Sequence, residues 1–525
     1  MTKYLVSRVL RGLLSVIIVV GVVMVLIYSC LDRNLIFAND PVFSKHKSNA
    51  QEVYKMQQWE YYGYVDYVPY ADFMQQLVSS GEITQPEFDA AIKFGNRAQQ
   101  DSPAAAEYVR RFTEEYETEG YTVVRLEGKT RGNTNKYLDG GEPRLYAYRD
   151  VPLLSRLWSY LTGLIRVDNI HAVQGDVGKR GLTFTLYDPA YGGEKFSPAI
   201  MGNGTVHKYL LYFDDRFPYL HQNLVTISLG KSYSVNKGID VYHTMTDSQG
   251  ARDMTMITYP SGNVEMSADD IHTAVYVAGS LAEGDAVVKR NFVDDYTSVT
   301  TRKMGLSKLG YSFVIGIISV LLAYALAIPL GILMALKKDK LPDKLGTVYI
   351  VFVMAVPSLA YIFLFKAIGE HLGLPTTFDM ESPTWLMYVL PVISLALPSV
   401  ANLMKWLRRY MFDQMNADYV KFARAGGLSE SGIFRSHVLK NAIIPIVHGI
   451  PASVLGVLVG AIITERVYVV PGAGNLLTRA INFYDNGVIV GVTLFYAVVS
   501  VVSVILGDVL MSIMDPRISF TSKEG

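Results

Sequence analysis

A chain of 525 residues that is 50% hydrophobic and only 18% charged carries too little charge for an ordinary soluble protein of its size. Its 48 basic and 48 acidic residues balance, which argues against a general affinity for nucleic acid. The single cysteine, Cys30, excludes an internal disulfide, so any large water-exposed part must rest on its own hydrophobic core.

The first long uncharged run is Gly12 to Leu31, between Arg11 and Asp32. About 20 apolar residues suffice to cross a bilayer, so this run reads as a membrane span. A signal peptide is the alternative, because IYSC loosely resembles a lipoprotein cleavage site. The run is long for a signal core, and Tyr28 fits such a site poorly, so a retained helix is expected.

Residues 32–304 follow, too long and too patterned for a loop. TQPEFDAAIKFG predicts a helix capped by Thr84. SPAAAEYVRRFTEEYETEG predicts another, with Ser102 as cap, Pro103 in the first turn and Gly120 as the stop. YTVVRLEG, GLTFTLYD and TMITYP suit strands, so an α+β domain is expected. Trp59 and six tyrosines crowd the stretch from Tyr54 to Tyr70. Such a cluster suits a docking surface, a membrane-interface belt or simply the core of the domain. Asn203-Gly204-Thr205 matches a glycosylation acceptor, a motif too short to carry weight. Gly230-Lys231-Ser232 ends like a phosphate-binding loop, but the glycine required five residues earlier is Val225. No metal-ligand cluster or nucleophile motif stands out, so this chain is expected to be no enzyme and to bind no cofactor itself.

Five more uncharged runs occupy residues 305–525: Leu309 to Leu336, Leu345 to Phe365, Ser382 to Met404, Ala442 to Thr464, and Asn486 to Gly507 with an extension to Met514. The expectation is a polytopic all-α membrane protein of six transmembrane helices with the α+β domain inserted between helices 1 and 2. Lys and Arg mark the cytoplasmic loops of membrane proteins. Here they concentrate at Lys3, Arg8 and Arg11, in the KKDKLPDK turn, and across 405–440. Alternation over six spans puts these three regions on one side. Both termini are therefore expected in the cytoplasm and residues 32–304 outside the cell. Prolines at 329, 357, 391, 398, 445 and 451 predict bent spans with room for a path between them. Asn402, His448 and Asp508 are the sparse polar residues within spans, and intramembrane ionisable groups are functional candidates. For His448 a structural hydrogen bond is expected. Asp508, close to a helix end, suits a cap or an anchor. Ala452, Gly456 and Gly460 place a small residue every fourth position of the fifth span, which permits close helix approach.

The loop 411–441 has the pattern of a folded knuckle. Asp418 to Ala425 predicts a short helix with Tyr419, Phe422 and Ala423 on one face and Arg424 near its end. Gly426-Gly427 breaks it, and Ser429 can cap a second helix with Glu430 in its first turn and Arg435 further along. Such a unit suits a groove on a cytoplasmic partner or the surface of anionic lipid, and periodicity alone does not separate the two.

ADYVKFARAGGLSESGIFRSHVLKNAIIP, residues 417–445, resembles the coupling loop, the so-called EAA loop, of ABC importer permeases of the oligopeptide/dipeptide type. Gly427 takes the place of the loop's glycine, while Phe422 replaces the acidic residue that names the motif, as peptide permeases commonly allow. ALAIPLGILMALKKDK, AVPSLAYIFLF, ERVYVVPGAGNLL and MDPRIS continue the resemblance, which covers the first span and about 305–520. In the insertion it is patchy. NLVTISLGKSYSVNKGIDV is similar to the short outer segment of ordinary members, and the enlarged remainder resembles the Ami-type branch of Gram-positive bacteria. The resemblance implies a type I ABC importer-like fold in the bacterial plasma membrane. It further implies a sister six-span permease, two cytoplasmic P-loop ATPase subunits that carry ATP-Mg, an extracellular peptide-binding lipoprotein and a peptide substrate. Asp418 to Lys440 would dock into an ATPase, the small-residue stripe would meet the sister permease or pack within this chain, and Glu465, Pro471, Gly472 and Gly474 would form part of an outer gate. Dipeptide and nickel importers share the loop and stay open as alternatives. A membrane sensor is a further rival, and an exporter component lacks this loop pattern.

Overall fold

The computed structural model describes residues 2–92, 103–132, 136–167, 181–186, 199–203, 208–210, 225–258, 264–273, 297–301, 303–380 and 382–514. Among these, five helices are long and apolar enough to cross a membrane, or six if one bent pair is a single span. The first span is Thr2–Cys30 and the second Lys308–Leu336. The bent pair is Leu341–Ala355 and Ser358–His371, which meet at 108°. The sequence alone predicts one run here. The break arises because Pro357 has no N–H to donate and its ring drives Val356 into an extended conformation (φ −85°, ψ 130°). The fourth span is Val389–Met415 with Pro398 inside it. The fifth is interrupted at Gly449 into Lys440–His448 and Ile450–Val467. The last span is Asn486–Met514.

The bundle has two contact systems. The second and fourth spans share a core of Ala323, Ala327, Ala396, Val400, Ala401 and Met404, small enough for close approach. The first span packs instead on the last, through Val16, Val20, Met24 and Ile27 against Val488, Val490, Val492 and Leu494. Arg8 pairs with Asp508 at 2.9 Å, so Asp508 anchors the N-terminal helix to the last span.

The region between the first two spans mixes helices and strands. A three-stranded antiparallel sheet has Arg144–Asp150 at its centre, flanked by Val65–Pro69 and Thr122–Leu126. Strand alternation sends Leu145 and Ala147 into a core with Tyr70, Phe73, Met74 and Phe112, while Tyr146 faces a second core with Phe37, Trp59, Tyr64 and Tyr67. Much of the aromatic stretch is thus core: Trp59, Tyr64, Tyr67 and Tyr70 are buried, and Tyr61 is half exposed. Helix Gln85–Ala91 starts with a capping box between Thr84 and Glu87. Helix Pro103–Thr118 ends before Gly120, whose φ is +80°. The segments predicted as strands contain Thr122–Leu126, Gly181–Thr185 and Thr255–Thr258. Ser102, Gly204, Thr205, Asn223 and the DPRIS ending lie outside the described residues.

This region is fastened to the bundle at Asp485, just before the last span. Its carboxylate is fully buried and accepts bonds from Ser232 Oγ (2.7 Å) and the backbone N–H groups of Tyr233, Ser234 and Val235 (3.1, 2.9 and 2.9 Å). Gly230-Lys231-Ser232 is therefore the rim of a loop that cradles an internal carboxylate. A second buried carboxylate, Asp40, accepts from Tyr54 (2.7 Å), Tyr233 (2.8 Å) and Lys237 (2.8 Å). Burial alone would raise its pKa, but these bonds and that to Val42 N–H hold it well below the usual carboxylate range.

Candidate functional site

The knuckle begins with helix Asp418–Ala425. Leu428 N–H donates to Ala423 O (3.2 Å) and Gly427 N–H to Arg424 O (3.1 Å), which closes the helix in a Schellman turn. Gly427 has φ +82°, a conformation that a Cβ would strain, although no atom lies near enough to clash. Ser429 Oγ accepts from Gly432 N–H (3.2 Å) and caps the short helix Glu430–Ile433. Arg424 grips Glu430 with both arms of its guanidinium, at 2.5 and 3.0 Å, and so clamps the two helices across the glycines. Phe434–Leu439 then forms a π-helical turn, a wide geometry with poor backbone economy that is common at functional sites.

The expected face of Tyr419, Phe422 and Ala423 is split. Val420 is the buried residue, 1% exposed, and packs with Ile433 and Val438 against Leu407 and Met411 of the fourth span and Ala335 of the second. Tyr419 and Ala423 flank that core, and Tyr419 accepts a bond from Asn441 Nδ2 (3.1 Å). Phe422 points away from it and is 77% exposed. Three-residue spacing from Tyr419 had suggested a common face, but the helix is docked through the adjoining 420–423 edge. The outward surface carries Phe422 and Leu428 among Asp418, Lys421, Arg424, Ala425, Glu430 and Arg435. An apolar knob in a charged rim is thereby held on a braced platform.

The brace extends to a pair the sequence did not reveal. Asp343, 3% exposed, accepts Arg408 Nε at 2.6 Å and Arg408 Nη2 at 2.8 Å. It ties the basic turn after the second span to the fourth. The partners are 65 residues apart, so no local pattern announces them.

The fourth and fifth spans rise from the knuckle to line a cleft of about 470 Å³ at membrane depth. Its polar lining includes Tyr324, Ser358, Tyr361, Ser399, Asn402 and Ser453, with no acidic, basic or histidine side chain among its described lining residues. Tyr324 and Ser453 share a hydroxyl–hydroxyl bond of 3.1 Å. Ala452 and Gly456 face this cleft, and a Cβ on Gly456 would meet nothing within 4 Å. Gly456 thus leaves open space in the cleft. His448 lies at the break of the fifth span with its Nδ1 buried and lacking a partner among the described residues, and its ring packs on Gly507.

At the far end of the fifth span, Glu465 is 1% exposed and accepts from Ser312 Oγ (2.6 Å) and Asn475 N–H (3.1 Å). The chain turns back through Pro471 and Gly472 into helix Ala473–Asn482, so the carboxylate meets a helix N-terminus. A Cβ on Gly472 would lie 2.3 Å from Glu465 Cδ, and one on Gly474 would lie 2.6 Å from Ile462 Cγ1. Both glycines are required by space. Tyr468, also buried, bonds Ser394 Oγ (2.9 Å) and Ile362 O (3.3 Å). Glu465, Gly472 and Gly474 thus converge in one latch joining the second, fourth and fifth spans, with Pro471 in its turn.

Comparison with known proteins places this geometry. A family model of binding-protein-dependent transport system inner membrane components matches residues 327–520. The oligopeptide transport system permease protein AmiC of Streptococcus pneumoniae serotype 4 is 34% identical over 531 residues, covering all of both chains. The dipeptide transport system permease protein DppB of Bacillus subtilis is 29% identical over 40% of this chain and 68% of its own. The oligopeptide transport system permease protein AppB of the same organism is 28% identical over 46% of this chain and 78% of its own.

Proposed function

The chain belongs to the ABC importer permeases of the oligopeptide and dipeptide type, and from that membership we propose that it forms one half of the membrane path of an ATP-driven oligopeptide importer. The observation that carries the coupling role is Phe422, a phenyl ring 77% exposed beside Leu428 on a knuckle whose Val420, Ile433 and Val438 are buried against the fourth and second spans. In this reading the knuckle and both termini face the cytoplasm, and residues 32–304 lie outside the cell. Phe422, ringed by Asp418, Arg424, Ala425, Glu430 and Arg435, enters a groove on one of two ATPase subunits. Those subunits bind ATP-Mg and do the hydrolysis, and this chain is not catalytic.

Closure of the ATPases displaces the knuckle as a unit, because the Arg424–Glu430 clamp and the Val420–Ile433–Val438 core resist bending within it. The displacement passes to the fourth and fifth spans and changes which end of the cleft is open. The cleft lined by Asn402, Ser453, Ala452 and Gly456 is half of the path, and a sister six-span permease supplies the other wall. Gly460, one turn beyond Gly456, continues the stripe. Uncharged hydroxyls and an amide match the alternating donors and acceptors of a peptide backbone. The Glu465–Pro471–Gly472–Gly474 latch is the outer gate, and a peptide-binding lipoprotein delivers substrate over the 32–304 region. Oligopeptides are favoured over dipeptides because a relative that matches the whole chain, the 32–304 region included, is an oligopeptide permease.

Affinity purification of the tagged chain in mild detergent tests the assembly. Two P-loop ATPases, a second permease and a lipoprotein should co-purify. Recovery of the chain with a kinase or regulator instead would move a sensor reading ahead.

A further inference from the structure

Helix Leu153–Gly163, in the region between the first two spans, has an unusual surface. Beside exposed Ser155, Ser159 and Thr162 it turns two large apolar residues outward, Leu154, 80% exposed, and Trp158, 70% exposed. They are four positions apart and share a face. The short antiparallel ribbon that follows pairs Ile165 with Ile227, and both are exposed, at 64% and 46%. The stretch 151–165 contains one charged residue, Arg156, and it is turned inward: its guanidinium lies 3.7 Å from the ring centre of Tyr28 and 4.1 Å from that of Tyr64. The opposite side of the helix, through Leu157, Tyr160 and Leu164, packs on the core formed by the first and last spans.

The place of that packing identifies what covers the outer face. Leu157 Cδ2 lies 3.6 Å from where a Cβ of Gly21 would be. Gly21 is nine residues short of the end of the first span at Cys30. At 1.5 Å per residue the contact falls about 14 Å below that end, well inside the apolar run. Beside it the first span presents Ile18, Val22, Val25 and Leu26, each about half exposed, as a face toward lipid. Leu154 and Trp158 add exposed apolar surface to the helix packed on that span, with the small hydroxyls Ser155, Ser159 and Thr162 as its exposed polar residues.

We propose that helix Leu153–Gly163, with the Ile165–Ile227 ribbon, is embedded in the lipid leaflet beside the first span and seats the 32–304 region on the membrane. Its ligand is the glycerophospholipid bilayer itself: acyl chains against Leu154, Ile165 and the apolar body of the Trp158 indole. Arg156 reaches the same level from within, its charge spread over two aromatic faces. The embedding fixes the height and tilt of the domain relative to the spans. It stands on the membrane character of the first span and is independent of the substrate.

The single native cysteine makes the test direct. The full chain, with its co-purifying subunits, carries Cys30→Ser and one of Leu154→Cys, Trp158→Cys or Ile165→Cys, spin-labelled and reconstituted in nanodiscs of phosphatidylglycerol and phosphatidylethanolamine. Glu87→Cys, on an exposed helix start, is the reference in water. Collision with oxygen should exceed collision with a water-soluble nickel chelate at 154, 158 and 165, and the order should invert at 87. Chelate collisions in excess at 154 and 158 would place the helix in water and overturn the proposal. Exclusion of both relaxants would mean that another protein chain covers the face, and would overturn it equally.

Discussion

Replacing Phe422 by alanine should separate coupling from folding. The ring is 77% exposed, so its truncation removes little packing within the chain, and stability should change by no more than about 0.5 kcal/mol. A phenylalanine side chain offers on the order of 150 Å² to a partner groove, worth up to about 4 kcal/mol at ~25 cal/mol per Å². Alanine scans of such buried anchors return about 2–4 kcal/mol, so the ATPase should bind roughly 30- to 1,000-fold more weakly. Val420, two residues away and 1% exposed, reverses the pattern: Val420→Ala opens a void in the knuckle core and should cost about 1–2 kcal/mol of stability. The assay compares thermal unfolding of each detergent-solubilised variant with its retention of ATPase subunits through size-exclusion chromatography. A Phe422→Ala chain that keeps its ATPases at wild-type dilution, or that unfolds at clearly lower temperature, would refute the coupling argument.

The remaining predictions concern the cleft, the latch and the outer fastenings. Gly456→Leu fills the cleft where a Cβ now meets nothing, so the protein should fold and assemble with its partners while ATP-dependent peptide uptake falls at least tenfold; unimpaired uptake would remove the cleft from the path. Gly472→Ala forces the Glu465 carboxylate away from Ser312 and Asn475 and should destabilise by about 1–3 kcal/mol, read as a lower unfolding temperature. Asp485→Ala leaves the backbone N–H groups of Tyr233, Ser234, Val235 and Val488 without this acceptor and should expose the 230–238 loop to protease, at a cost of at least about 1–3 kcal/mol. Asp40 has a depressed folded pKa despite its burial, so its contribution is complete above the ordinary carboxylate value of about 4 and is lost as pH falls below it. Asp40→Asn should flatten that acid limb of the stability profile.

The spans and the knuckle were readable because both follow local rules. Uncharged runs of fixed length mark the bilayer, and Gly426-Gly427 followed by Ser429 marks a helix end and a new cap. What escaped were contacts between distant residues. Nothing near Asp485 foretells that the loop 232–235 will wrap it, and nothing near Asp343 foretells Arg408. Pro357 was legible as a bend, but its 108° angle depends on how the two half-helices find partners. Helical spacing grouped Phe422 with Tyr419, whereas packing against Leu407 and Met411 selected Val420 and turned Phe422 outward. The helix Leu153–Gly163 was overlooked because one basic residue and several small polar ones make a short apolar stretch look ordinary until its neighbour is known to be a span.

Uptake measured across a membrane tests the central claim most directly. Vesicles reconstituted with this chain, its co-purified subunits and the lipoprotein should accumulate a labelled oligopeptide only when ATP-Mg is supplied on the knuckle side, and Phe422→Ala vesicles should accumulate far less. Equal accumulation without ATP, or none with every subunit present and ATP being hydrolysed, would contradict the account.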